Sequence, residues 1–377
     1  MSDAADRLAY LDEVLPLLFP PGSGAGTGAP GSVRGSIAGS ARRFIRRGTR
    51  ESAREGVRGD TRGGVSGGTR GGTWGNIRED TRGDARTVLP HRLVPRRVVP
   101  RAWWHITLGR RLLVGGGPDT IETHLSDVLG RRVRVVVHVR PARRANRKPI
   151  LEAYDESGLV GFVKIGDSPR ARRLVRYEGE VLRMLADQPL KVVVPPDVLY
   201  HGEWRGLEVL LLSPLPAGRR HGRLRERPRS SSRVPARLLT SAVREIAAIR
   251  PYGGEGIGEA AWHGDLTPWN IAAGPDGRLL VWDWERFAVG VPLGFDALHH
   301  YFHRALRRMP PEVAARSCLA QAGGLLEPFG VDAAQARRTA AHYLVTLAER
   351  HRRDGHEPLG PPAVWLNPVV DPLECLL

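Results

Sequence analysis

WHGDLTPWNIAAGPDGRLLVWDWE, residues Trp262 to Glu285, is the stretch from which the rest of the chain is read. Within it, Asn270-Ile271-Ala272-Ala273 runs into the turn residues Gly274-Pro275-Asp276-Gly277. The chain leaves through the apolar Arg278-Leu279-Leu280-Val281-Trp282, which is the pattern of a β-hairpin. The hairpin returns Asp283 to the side of Asn270, and Asp265 precedes Asn270 by five residues. Two carboxylates and an amide can therefore close on one point. Phosphoryl transfer from a nucleotide needs oxygen ligands that hold Mg²⁺ on the phosphates. It also needs a carboxylate that orients the attacking hydroxyl and takes its proton. Asp265 suits the base, and Asn270 with Asp283 suits the metal. A lone His-Gly-Asp would be read as a loop with capping side chains, but the complete spacing carries more.

The pattern H-G-D-x-x-x-x-N, then a hairpin, then an apolar-Asp-Trp-Glu strand, resembles the aminoglycoside phosphotransferase and choline kinase superfamily of small-molecule kinases. The resemblance implies Asp265 as catalytic base, Asn270 and Asp283 as magnesium ligands, and His263 as a structural support of the catalytic loop. Asp296, in Pro292-Leu293-Gly294-Phe295-Asp296-Ala297-Leu298, matches the family's later Asp, which ties down that loop from the start of a helix. A simple N-cap is the compatible local reading. The resemblance covers roughly residues 133–349. It implies an α+β, two-lobed, protein-kinase-like fold, with a small antiparallel-sheet lobe and a larger helical lobe. The cofactor would be Mg²⁺ and the co-substrate ATP or GTP.

Upstream of the motif, the resemblance makes residues 131–216 the nucleotide-binding lobe. Strands are expected at Val133–Val139, Ile150–Tyr154 and Leu159–Ile165, the last pair joined by the turn Asp155-Glu156-Ser157-Gly158. The phosphate-covering loop of the family would fall at Arg140 to Pro149. It holds no glycine, so side chains (Arg143, Arg144, Asn146, Arg147, Lys148) would meet the phosphates, with Arg147 taken as the nucleotide contact. In the pattern of the family it resembles, Lys164 on the third strand would contact the phosphates and pair with a Glu of the next helix, Arg170 to Ala186. Leu174, Val181, Leu182 and Leu185 define the buried arc of that helix; Glu178 lies within the arc and Glu180 roughly opposite. A buried carboxylate needs a partner, so Glu178 is chosen. Glu208–Leu212 reads as the last strand, with backbone around Leu212 at the hinge where adenine would sit.

The chain has 377 residues and a net charge of +17, almost all of the excess being arginine, a balance that favours anionic partners without choosing one. Residues 1–19 read as an amphipathic helix and 20–87 as a disordered Gly/Arg-rich insert. Residues 88–130 read as an extension packed on the kinase body, ending in a helix capped by Asp119. Residues 217–234 read as a basic mobile loop, and 235–377 as the catalytic and acceptor-binding helical lobe. Cys318 and Cys375 are too few for a disulfide framework, no secretory signal or membrane span is expected, and the expected compartment is the cytoplasm. His299, His300 and His303 are read as packing residues rather than a metal site, and Trp262, Trp269, Trp282 and Trp284 as packing under the motif. The expected partner is a small-molecule hydroxyl acceptor of aminoglycoside, sugar or amino-alcohol type, rather than nucleic acid. A nucleotide-binding pseudokinase scaffold and an Arg-Gly-rich nucleic-acid-binding protein are the competing classes.

Overall fold

A computed structural model of the chain describes residues 3–20, 86–90, 97–100, 112–114, 118–138, 148–216, 234–250, 260–355 and 357–374. The expected disordered insert and basic loop, apart from their ends, and Arg147 lie outside them. In chain order the first lobe contains α1 (Asp3–Leu18), β1 (Arg86–Pro90), β2 (Arg97–Pro100), β3 (Leu112–Val114) and α2 (Ile121–Leu129). It continues with β4 (Arg134–His138), β5 (Ile150–Asp155), β6 (Gly158–Gly166), α3 (Pro169–Ala186), β8 (Val198–Trp204) and β9 (Leu207–Leu212), while β7 (Val193–Val194), between α3 and β8 in the chain, joins a sheet of the second lobe. The second lobe follows with α4 (Ala236–Ala247), β10 (Ala260–Trp262), β11 (Ile271–Ala273), β12 (Leu279–Val281), β13 (Ala288–Val291), α5 (Phe295–Ala305), α6 (Pro311–Leu326), α7 (Ala333–Arg353), α8 (Pro362–Trp365) and α9 (Asn367–Glu374).

The first lobe is built on an antiparallel sheet in the order β3-β1-β2-β4-β5-β6-β9-β8. The alternation of side chains along a strand explains its two-sided burial. Val163, Ile165, Val209 and Leu211 face a core shared with Tyr10, Val14 and Leu18 of α1 and Ile121 and Leu125 of α2. Leu210 and Leu212 face the opposite way, into a core with Val175, Val181, Leu182 and Leu185 of α3 that continues through α5, α6 and α7. Covered on both faces, β9 can be a nearly continuous apolar run. Lys164 alternates with Val163 and Ile165, so it points to the α3 side. The α+β, two-lobed reading therefore holds. Among the described residues, no helix is long and apolar enough to cross a membrane.

Two local expectations are corrected. The cap of α2 is Thr120, not Asp119: Thr120 and Thr123 form a reciprocal capping box (3.2 and 2.8 Å). Asp119 is thereby free to accept from Trp204 Nε1 at 2.9 Å and to pair with Arg205. The N-cap of α5 is Gly294, leaving Asp296 in the first turn with its side chain directed to another purpose. The described parts of residues 88–114 join the sheet by strand pairing.

Candidate active site

Lys164 sits on β6 between Ile150 of β5 and Leu210 of β9. Its ammonium donates to both oxygens of Glu178 at 2.6 Å and to Asp283 Oδ1 at 2.7 Å. Ser168 caps α3 and Pro169 opens it, fixing the helix phase that brings Glu178 inward while Glu180 stays exposed. Glu178 is fully buried and also accepts from the Trp284 backbone N–H at 3.1 Å. Burial alone would lower the Lys164 pKa, but Asp283 and Glu178 outweigh it and hold the ammonium charged.

The second half of the site is the loop after β10. Gly264 has φ +76°, and a Cβ there would lie 2.2 Å from the Arg286 carbonyl oxygen, so only glycine fits. Asp296 accepts from the backbone N–H of His263 (2.7 Å) and of Gly264 (3.2 Å), and burial pushes its pKa up to about 7. His263 Nδ1 accepts from the Asp265 N–H at 3.1 Å, which puts the ring proton on Nε2. Its ring packs edge-on to Trp284, and burial lowers its pKa to about 4. Arg350 of α7 donates to the Gly264 carbonyl and lies over the Trp262 ring at 5.5 Å.

Asp265 is held at both carboxylate oxygens. Oδ2 accepts from Asn270 Nδ2 at 2.8 Å, and Oδ1 lies 3.2 Å from His299 Nε2. An ionised carboxylate only accepts, so His299 donates through Nε2, and Tyr343 Oη, 3.0 Å from Nδ1, donates to the other nitrogen. Burial raises the Asp265 pKa, and the nearby Asp283 charge adds to the rise. Asp265 and Asp283 keep side-chain exposures of 30% and 31%, against 0% for Glu178 and 2% for Asp296. The first two carboxylates can thus meet a ligand and the last two cannot.

The Trp282 N–H donates to the Asn270 carbonyl at 3.1 Å, so the hairpin sets Asp283 beside Asn270. Asp283 has φ +73°, in the left-handed region that few non-glycine residues occupy, a conformation that must be held by its surroundings. Asn270 donates its amide hydrogens to the Asp265 side chain and carbonyl, which leaves its Oδ1 as an oxygen ligand. A carboxylate and an amide oxygen form a hard donor set of the kind Mg²⁺ takes, so these residues fit that ion.

Of the residues expected from sequence, Lys164, Glu178 and Asp283 are joined by hydrogen bonds, as are Asp265, Asn270, His263 and Asp296, and the Asp265 and Asp283 charges lie near enough to act on each other. Leu212 ends β9, buried and paired with Phe162 and Val198, on the cleft side of the sheet. Four residues were not anticipated in these contacts. His299 reaches Asp265 and Arg350 braces the loop, while Lys148 and Glu285 form a buried ion pair beside the Lys164 cluster. His299 lies three residues after Asp296, so helical spacing from the loop-tying Asp was the available signal. Trp269 differs from its neighbours in the motif: it is 52% exposed, edge-on to His303, while Trp262 and Trp284 are buried.

No protein-family model matches the chain, and no curated protein matches it in sequence. Solved structures similar to it include a putative fructosamine-3-kinase from Haemophilus somnus 129PT, at 14% identity and TM-score 0.44, over 67% of this chain and 96% of that one. A gentamicin complex of APH(2")-IIa is similar at 12% identity and TM-score 0.41, over 62% and 89% of the two chains. The macrolide 2'-phosphotransferase MphH from Brachybacterium faecium is similar at 18% identity and TM-score 0.37, over 63% and 97%. Likeness this distant carries no weight for function, which rests on the geometry of the cleft.

Proposed function

We propose that the chain is a small-molecule kinase that moves the γ-phosphoryl group of ATP or GTP to a hydroxyl of a small acceptor. The observation that carries this reading is the convergence of Lys164 with Glu178, Asp283 with Asn270, and Asp265 in one cleft. Of these carboxylates, Asp265 and Asp283, suited to base and metal, remain open while Glu178 is buried. Lys164, held charged and aimed by Glu178, binds phosphate oxygens. Asn270 and Asp283 would hold Mg²⁺, which when bound offsets the charge of the phosphates.

Asp265 accepts a hydrogen bond from the acceptor hydroxyl and takes its proton as the oxygen bonds to the γ-phosphorus and the bond to the leaving nucleoside diphosphate breaks. Asn270 and His299 hold the carboxylate still, and its raised pKa makes it a better proton acceptor than an ordinary aspartate. The acceptor is of the sugar, amino-alcohol or aminoglycoside type.

The test is phosphoryl transfer from labelled ATP or GTP to a panel of hydroxyl compounds, with Asp265→Asn alongside. Transfer by the wild type and its loss in the variant support the reading. Equal transfer by both removes Asp265 from the base role.

A further inference from the structure

The segment from Arg140 to Pro149 carries no glycine, so the backbone-cradle argument for glycine-rich loops does not apply to it directly. At its end the structure offers something different. The Pro149 carbonyl accepts from the Ile165 N–H at 3.0 Å and Ile150 pairs with Lys164, so Lys148 enters the same cleft as Lys164 from the neighbouring antiparallel strand. Its side chain is 7% exposed and pairs with Glu285, also 7% exposed. Glu285 in turn brings a carboxylate oxygen within 4.8 Å of those of Glu178 and Asp283. Two ammonium groups therefore face three carboxylates where the phosphates would lie.

A stabilising role alone explains this poorly. An apolar pair of similar volume would serve the core as well as a buried ion pair or better. We infer that Lys148 is a second lysine for the polyphosphate of the nucleotide, kept in the cleft by Glu285, which makes Glu285 its positioning residue. The inference rests on the kinase reading. It assigns to the Lys148 side chain a phosphate contact at the end of a segment that carries no glycine.

The experiment compares Mg²⁺-dependent binding of ATP (or GTP, whichever binds better) with binding of the matching nucleoside, by titration calorimetry. The proteins are wild type, Lys148→Met, Lys148→Arg, the double variant Lys148→Met/Glu285→Met and Asp283→Ala. The apolar double variant keeps the core filled if Lys148→Met alone unfolds. Loss of one charge-assisted hydrogen bond predicts triphosphate binding weakened by about 10- to 100-fold in both Met variants, with the nucleoside within about twofold of wild type. Lys148→Arg should stay closer to wild type than Lys148→Met.

A double variant that keeps the wild-type ratio of triphosphate to nucleoside affinity overturns the role of Lys148. If Asp283→Ala still loses Mg²⁺-dependent binding, that result leaves the kinase reading standing. A wild type that binds no triphosphate overturns both.

Discussion

Glu178→Gln is the perturbation that weighs most on the account, because one buried carboxylate serves both the fold and the cleft. In the wild type Lys164 makes two 2.6 Å contacts to Glu178 and one 2.7 Å contact to Asp283. Gln keeps the shape and an oxygen for the Trp284 N–H, but it removes the charge that offsets a buried ammonium. Removing one partner of a buried pair costs about 3–5 kcal/mol, and the lower end applies because Asp283 still compensates Lys164. For a unit of some 150–250 residues, about 3 kcal/mol corresponds to a fall of roughly 6–12 °C in Tm.

The second consequence is chemical. With Glu178 neutral, Asp283 is the charged carboxylate still hydrogen-bonded to Lys164 among the described residues and is drawn further from the metal role, so Mg²⁺-nucleotide affinity falls by about tenfold, or ~1.4 kcal/mol. The assay is thermal unfolding with and without Mg²⁺-nucleotide. Glu180→Gln on the exposed face is the control and should stay within about 0.5 kcal/mol of wild type. A Glu178→Gln protein with wild-type Tm and wild-type nucleotide affinity would refute the argument.

Two further outcomes follow from the same geometry. Asp265→Asn should cut kcat by about 10²- to 10⁴-fold while nucleotide affinity stays near wild type, read by steady-state kinetics beside calorimetry; equal loss of both would mean the residue acts in binding. Stability should fall as pH drops from about 6.5 towards 4. Burial holds His263 and His300 at about 4, His303 at about 2 and His299 well below its usual value, so the unfolded chain takes up about four protons that these groups refuse in the native state. Asp296 at about 7 and the raised Asp265 oppose this with at most two protons on the native side. The net sign therefore makes stability rise with pH, by on the order of 1 kcal/mol per unit in that window. Urea midpoints at pH 7, 6 and 5 check it, and a flat or inverted trend would contradict it.

Much of this cleft was legible in the sequence because its parts are local or periodic. The hairpin follows from Gly274-Pro275-Asp276-Gly277 between apolar runs, and its strands form as expected at Ile271–Ala273 and Leu279–Val281. The inward direction of Glu178 follows from the phase of α3, and the structure pairs it with Lys164. What could not be read depends on contacts across long stretches of chain. The pairing of His299 with Asp265 and of Lys148 with Glu285 requires knowing how the lobes meet, which no window of periodicity contains. β8 escaped because Val198–Trp204 is an edge strand with mostly part-exposed residues and no clean apolar alternation. Asp119 and Thr120 are both good caps by composition, and only the reciprocal bonds with Thr123 decide between them.

The most direct measurement of the central claim is thermal stability of the purified protein with ATP or GTP, each with and without Mg²⁺, for wild type and Asp283→Ala side by side. At a ligand concentration 100 times Kd the native state gains about 2.7 kcal/mol, a readily visible shift. The wild type should show a Mg²⁺-dependent rise in Tm that Asp283→Ala loses. No rise in the wild type, or the same rise in both proteins, would contradict it.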